Sequence, residues 1–198
     1  MKMTLNDVNE EDRGIIAPCG IICLGCDIHQ DESLDAARTI VKIWQGFNVP
    51  DLAGAFRLET QQIYNTLETL TKWVERREKA GPCPGCFKGG GPSTMCSIAK
   101  CVKSKGYWTC AECEDFNPES KHPCPHSDTD TDSASLPMGS RRETWNMVCR
   151  RYSSNNLENL RRCCEIGYPA FIAETREKVR NGWRTWQVIS NKMVFTQR

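Results

Sequence analysis

Cysteine is the residue type whose number and spacing in this sequence could do chemistry. The chain of 198 residues contains 13 cysteines. A tetrahedral zinc ion takes four thiolate or imidazole ligands, and one Cys-x-x-Cys turn can supply two of them with little backbone strain. Ten cysteines lie within the first 124 residues and are the predicted metal ligands: Cys19, Cys23, Cys26, Cys83, Cys86, Cys96, Cys101, Cys110, Cys113 and Cys124.

Three Cys-x-x-Cys turns stand out among these ligands, at Cys23–Cys26, Cys83–Cys86 and Cys110–Cys113. The second and third turns are separated by 23 residues, which is close to the arrangement of a zinc ribbon. Cys96 and Cys101 would point in different directions on a continuous helix, so they could instead complete a second site with the cysteines of residues 19–26. Spacing alone leaves the pairing of ligands open.

The identity of the metal is also open at this level. Zinc is the first expectation, and a 4Fe-4S cluster is the alternative because such clusters also take four thiolates. The dipeptides Cys83-Pro84 and Cys124-Pro125 are similar to ferredoxin ligands, although the run CxxCxxCxxxCP is absent. The C-x3-C-x2-C spacing of residues 19–26 also matches the cluster loop of radical S-adenosylmethionine enzymes, but predicted helices follow it instead of a strand–helix barrel.

Composition favours reduced thiols over disulfides. Residues 1–13 are polar and acidic, without the apolar stretch of a secretory signal, and we therefore expect a cytoplasmic protein. No apolar run reaches the roughly 20 residues of a membrane span, so no membrane partner is expected. Disulfides rarely persist in a reducing compartment, which makes metal binding the leading explanation for the cysteines.

The remaining candidate residues have structural explanations. His29, His122 and His126 lie near cysteines but are expected outside the ligand set. Three further cysteines lie on predicted helices, where a thiol usually behaves as a small buried apolar group: Cys149, Cys163 and Cys164. No arrangement of residues typical of a nucleophilic catalyst can be assembled, so the sequence favours a protein without a catalytic site.

The elements that must position these cysteines are mainly helices. Apolar residues recur at helical spacing, and Pro82 and Pro84 end one such run. The fold class predicted is mainly α, with a metal-stabilised cysteine-rich knuckle region and few or no long strands. The predicted helices cover about 31–47, 51–79, 93–105, 140–152, 155–165 and 169–181, and residues 183–195 are predicted to fold back as an extended segment.

The domain organisation follows from composition. Residues 1–126 form a cysteine-rich metal-binding domain with two helices inserted between knuckles. Residues 127–137, SDTDTDSASLP, are acidic and polar and are predicted to be a linker. Residues 138–198 are predicted to be a basic helical extension that packs on the first domain.

The charge of this extension suggests partners. Residues 1–140 hold 14 Lys and Arg against 20 Asp and Glu, whereas residues 141–198 hold 12 against 5. A protein partner is the main expectation. The arginine pairs Arg141/Arg142, Arg150/Arg151 and Arg161/Arg162 leave nucleic-acid binding as a weaker alternative.

The order of the cysteines resembles a known family. The segments Cys19–Cys26, Cys83-Pro-Gly-Cys86, Cys110-Ala-Glu-Cys-Glu-Asp-Phe116 and Pro-Cys124 are similar to the cysteine-rich prokaryotic family called domain of unknown function three-seven-nine-five. The resemblance covers about residues 17–125, and the tail from Asn156 looks like an extension found in some members. It implies metal binding and occurrence in archaea and anaerobic bacteria, but no defined activity.

Three functions are therefore carried forward. The first is an accessory or interaction protein whose knuckles are held by zinc. The second is an iron–sulfur electron-transfer protein of an anaerobe. The third is nucleic-acid binding through the basic C-terminal helices.

Overall fold

The computed structural model describes residues 8–91, 93–94, 96–114 and 156–188. Within these residues the protein is mainly helical, and strand pairing is limited to one isolated antiparallel bridge between Ile16 and Ile22. The predicted fold class, mainly α with few or no strands, is confirmed for this part of the chain. Its α-helices are α1 (Asp27–Gln30), α2 (Glu32–Gly46), α3 (Val49–Leu52), α4 (Thr60–Ala80), α5 (Ser97–Ser104), α6 (Asn156–Ile166) and α7 (Tyr168–Arg180).

The chain divides into two compact units. Residues 30–82 form one unit, here called the helical unit. Residues 1–29 and 83–198 form the other, here called the cysteine-rich unit because it contains every cysteine of the sequence. The predicted linker at 127–137 and helix at 140–152 lie outside the described residues, so the proposed domain boundaries stay a prediction.

The helical unit is built on the packing of α2 against α4. Leu34 and Ala37 of α2 are buried against Val74 of α4, and Leu70 and Trp73 pack around them. These positions recur every three or four residues along each helix, so each helix presents one apolar stripe to the other. Helix α2 matches the predicted helix at 31–47.

The predicted helix at 51–79 was wrong in its first part. Helix α4 begins at Thr60, and residues 49–56 form the separate helix α3 and a 3-10 turn at Ala53–Phe56. Arg57 has a left-handed backbone with φ 58°, which ends that turn, and Glu59 is extended. The apolar periodicity of Leu52 and Phe56 therefore belongs to a different element, and both side chains are exposed.

The core of the cysteine-rich unit joins the two ends of the chain. Helices α6 and α7 lie within one residue of the predicted helices at 155–165 and 169–181. Trp108 is fully buried, with its ring centroid 4.6 Å from that of Tyr168 and 6.3 Å from that of Phe87. The buried cluster consists of Val8, Ile15, Ile16, Ile22, Trp108, Cys163, Tyr168, Phe171, Ile172 and Val179.

A buried polar node adjoins this core. One carboxylate oxygen of Glu112 accepts hydrogen bonds from the backbone N–H groups of Trp108 at 2.6 Å and Thr109 at 2.9 Å, and from the Tyr168 hydroxyl at 2.8 Å. Burial raises the pKa of Tyr168 above its ordinary value, so this hydroxyl stays protonated and can donate. The node attaches the turn at Cys110–Glu112 to helix α7.

Candidate metal centre

Three predicted ligands lie in the tight loop of residues 17–26. Ala17 and Ile21 pair through the backbone at 2.7 Å, and Gly20 donates to Ala17 at 2.9 Å with a left-handed φ of 96°. Cys19 and Cys23 are buried, and Cys26 is half-buried. Short-range backbone bonds therefore hold the three cysteines in one compact loop, in which Gly20 takes a backbone conformation that favours glycine.

The second Cys-x-x-Cys turn, Cys83–Cys86, is wrapped by glycine backbone. Gly90 donates to the carbonyl of Gly85 at 2.9 Å, which folds the chain back over the turn. A Cβ atom on Gly90 would lie 2.6 Å from the Cys83 sulfur, and one on Gly91 would lie 3.2 Å from the Cys86 sulfur. Both positions lack a side chain and the backbone can approach the two sulfurs closely, as in a cradle for a thiolate-bound ion.

The two turns meet at Cys23 and Cys86. Cys86 packs against the buried cluster that contains Cys19 and Cys23. The Cys86 contact and burial hold the pKa of Cys23 well above its usual value, while the same contact lowers the pKa of Cys86. Cys86 is therefore the first of the pair to ionise, and the charge of Cys19 also acts on Cys23.

A second meeting point joins Cys26 to Cys83. The backbone N–H of Cys83 donates to the carbonyl of Ile28 at 3.0 Å, and the His29 Nδ1–H donates to the Cys83 carbonyl at 2.7 Å. Burial raises the pKa of Cys26, and the charge of Cys83 raises it further. His29 thus acts on the backbone of this turn.

The remaining described candidates make other contacts. Cys96 caps helix α5 by accepting from the backbone N–H of Ala99 at 3.5 Å, and Cys113 accepts from the Lys105 ammonium at 3.2 Å. Cys101 lies half-buried on α5. Cys110 is buried, and its backbone N–H donates to the carbonyl of Pro18 at 2.9 Å, which ties the third Cys-x-x-Cys turn to the first loop.

None of the cysteines in the described residues forms a disulfide, and no group of three His, Cys, Asp or Glu side chains there is already arranged as a metal site. Cys163 is buried as predicted, and burial raises its thiol pKa strongly. The expectation that Cys164 is buried was wrong, because its side chain is exposed on α6 and donates to the carbonyl of Ala111 at 3.4 Å. Cys124, His122, His126 and Cys149 lie outside the described residues.

Sequence reasoning missed the residues that hold the first loop from the C-terminal side. The Asn156 amide donates to the Cys19 sulfur at 3.6 Å, and the Asn159 amide donates to the Gly20 carbonyl at 2.9 Å. The Thr185 hydroxyl donates to the Ile22 carbonyl at 2.6 Å. No local pattern could reveal these contacts, because each joins residues more than a hundred positions apart.

Tryptophan closes the same loop. The Trp183 ring lies against Gly25, where an added Cβ would lie 2.8 Å from a ring carbon. The Lys178 ammonium lies 4.1 Å from the centre of the Trp183 ring. Position 25 therefore requires glycine because a side chain there would collide with the Trp183 ring.

The arginines of the described C-terminal helices are engaged by carboxylates. Arg162 bonds to Glu174 at 2.6 Å and to Glu165 at 3.3 Å, and Arg176 pairs with Asp12. Within the predicted pair Arg161/Arg162, Arg162 forms carboxylate contacts, and nucleic-acid binding by the tail stays a prediction. The other four arginines of the predicted pairs lie outside the described residues: Arg141, Arg142, Arg150 and Arg151.

Among the helices that the structure describes, none is long and apolar enough to span a membrane. Comparison with known proteins gives one match: a family described as "Protein of unknown function (DUF3795)" matches residues 15–123. The match extends from the first cysteine loop to just before Cys124 and confirms the resemblance seen in the cysteine order. No curated protein and no solved structure matches the chain.

Proposed function

We propose that this chain, which belongs to the family of proteins of unknown function DUF3795, is an accessory metalloprotein whose cysteine thiolates bind zinc. The observation that carries the proposal is the packing of Cys86 against the buried Cys19 and Cys23, which come from a distant part of the chain. Two thiolates placed side by side repel each other, and a divalent cation between them would compensate both charges.

The surroundings of this contact support a structural ion. Cys23 is buried, and the backbone N–H of Cys83 donates at 3.0 Å to the carbonyl of Ile28, two residues after Cys26. Bound zinc would supply a redox-inactive cross-link between loops. The surrounding residues would exclude water from the sulfurs and orient them. The proposed role of the zinc-bound loops is to present a fixed surface to a protein partner.

Elemental analysis tests the proposal most directly. We expect the full chain, purified without oxygen and under reducing conditions, to be colourless and to contain zinc that is released when the thiols are blocked. Zinc binding should weaken as the pH falls, because protons compete for the thiolates. A brown protein with iron and acid-labile sulfide would replace zinc with the iron–sulfur alternative, in which the same thiolates serve an electron-transfer protein.

The opposite result is equally clear. A folded chain that contains neither metal, that does not take up zinc at micromolar concentration, and whose thiols all react freely would overturn metal binding. The thiol of glutathione, measured under the same conditions, serves as the standard for free reactivity.

A further inference from the structure

The first and second Cys-x-x-Cys turns, Cys23–Cys26 and Cys83–Cys86, are neighbours in the cysteine-rich unit. We infer that the four cysteines of these turns bind one metal ion together, as the four thiolate ligands of a single site. The inference rests on the proposed function and deepens it, because it selects four of the ten predicted ligands and states which of them share an ion.

The last cysteine of the second turn, Cys86, lies near Cys23, and the first, Cys83, lies near Cys26. Cys86 packs against the buried cluster formed by Cys19, Cys23 and two apolar residues of the first loop. Cys26 and Cys83 are near enough for their charges to interact, and the backbone of Cys83 is bonded to Ile28, which follows Cys26 by two residues. Two turns arranged in this way supply two ligands each, as a closed tetrahedral site requires.

Backbone atoms lie close to these sulfurs on both sides. The backbone N–H of His29 donates to the Cys26 carbonyl at 2.9 Å, which turns the chain just after the first pair of sulfurs. On the other side, Gly90 and Gly91 bring the chain so close to the Cys83 and Cys86 sulfurs that a side chain at Gly90 would collide with Cys83. A Gly-Gly-Gly turn beside the second pair of sulfurs thereby acquires a specific purpose.

The other described thiols are occupied differently. Cys113 has the ammonium of Lys105 beside its sulfur, and Cys96 accepts from the N–H of Ala99 in its own helix. Cys19 lies near Cys23 but accepts from the Asn156 amide. A tetrahedral ion is complete with four ligands, so we place Cys19 beside the site as a neighbour of Cys23.

The four sulfurs do not yet form a complete site in this structure. No three candidate side chains in the described residues are grouped as a metal site. The two turns are already adjacent, because Cys86 packs against Cys23 and the Cys83 backbone is bonded to Ile28. Metal binding has to draw the four sulfurs together. This behaviour agrees with sites that form as the metal binds.

Cadmium, a spectroscopic substitute for zinc, can identify the ligands directly. The experiment uses the full chain loaded with an NMR-active cadmium isotope and records which cysteine β-protons couple to each cadmium signal. We expect one signal to couple to Cys23, Cys26, Cys83 and Cys86. A signal that joins Cys83 and Cys86 to Cys110 and Cys113 would overturn the inference while leaving metal binding intact, and no cadmium binding at all would remove both.

Variants provide a second measurement. We expect Cys26→Ser and Cys83→Ser each to weaken zinc binding by more than about a hundredfold, the upper range for changes outside the ligand shell. Cys164→Ser is the control, since its exposed thiol is not a proposed ligand. Wild-type affinity in both ligand variants would contradict the assignment.

A glycine variant covers the case in which a cysteine variant fails to fold. Gly90→Ala places a methyl group 2.6 Å from the Cys83 sulfur, and we expect it to weaken zinc binding at least tenfold. Gly54→Ala is the matched control, because nothing lies within 4 Å of a Cβ atom there and its backbone is not left-handed. Equal zinc affinity in the two glycine variants would count against the site.

Discussion

The helical unit and the cysteine-rich unit are stabilised in different ways. The helical unit, residues 30–82, contains no cysteine and depends on a small apolar core between two long helices. The cysteine-rich unit has a larger core centred on Trp108. Several of its predicted ligands lie on loops and short 3-10 turns. Helical periodicity is therefore enough to specify the first unit, whereas the second unit depends on contacts between segments that are distant in the sequence.

Removal of bound zinc should have the largest effect of these tests, and it should affect the cysteine-rich unit far more than the helical unit. We expect chelation to reduce the hydrogen-exchange protection of residues 17–29 and 83–91 by orders of magnitude, because the metal contributes about 10 to 16 kcal/mol in small zinc-dependent peptides. Protection within α2 and α4 should change little. Exchange measured by mass spectrometry on matched peptides provides the check, and equal protection with and without metal would contradict the comparison.

Trp108→Ala should have the next largest effect. The side chain is fully buried against Tyr168 and Phe87, so its removal leaves a cavity that costs about 3 to 5 kcal/mol of unfolding free energy. Denaturant unfolding followed through exchange in α6 and α7 measures the loss. A change below about 1 kcal/mol would show that this core is not the main support of its unit.

Leu34→Ala makes the corresponding test in the helical unit. Leu34 is 3% exposed and packs on Val74, and its truncation should cost about 2 to 5 kcal/mol. Exchange in α2 and α4 reports the effect, while zinc content should stay at the wild-type level. Loss of zinc in this variant would break the distinction between the two units.

Thr185→Val tests how the C-terminal residues hold the first cysteine loop. The substitution keeps the shape but leaves the Ile22 carbonyl without the hydrogen bond from the buried hydroxyl, at a cost of about 1 to 3 kcal/mol. The midpoint of thermal unfolding measures the loss. Thr185→Ser, which keeps the hydroxyl, should recover part of it, and equal midpoints for Val and Ser would refute the role of this bond.

Arg38→Gln should have the smallest effect. Arg38 forms ion pairs with Asp35 and Glu78 at the surface of the helical unit, and Glu78 raises the pKa of its guanidinium. Exposed pairs of this kind contribute little, and salt screens them. We expect no measurable shift in the unfolding midpoint at physiological salt, and a clear shift would mean that surface charge supports this unit.

Helix prediction succeeded where one short segment contains its own signal. Helices α2, α6 and α7 lie close to their predicted ranges because their apolar residues recur at helical spacing. The prediction at 51–79 began too early, because periodicity cannot detect the left-handed residue Arg57. Helix α5 is likewise shorter than the predicted 93–105, since Cys96 caps its start.

Cysteine pairing shows the limit of local signals. Spacing suggested that Cys83 and Cys86 might share a site with the third turn, and it left the pairing open. The structure brings these residues to Cys26 and Cys23 instead, through contacts across the helical insertion in the sequence. Residues such as Asn156 and Thr185 reach the first loop in the same long-range manner.

The sequence by itself determined the helical class, the cysteine-rich character and the family to which the chain belongs. These properties depend on composition, on periods of three to four residues and on short motifs, all of which are written locally. Only the tertiary structure decided which sulfurs are neighbours and that α6 and α7 complete the core around Trp108. Such contacts join distant segments, and their geometry follows from packing that no local pattern contains.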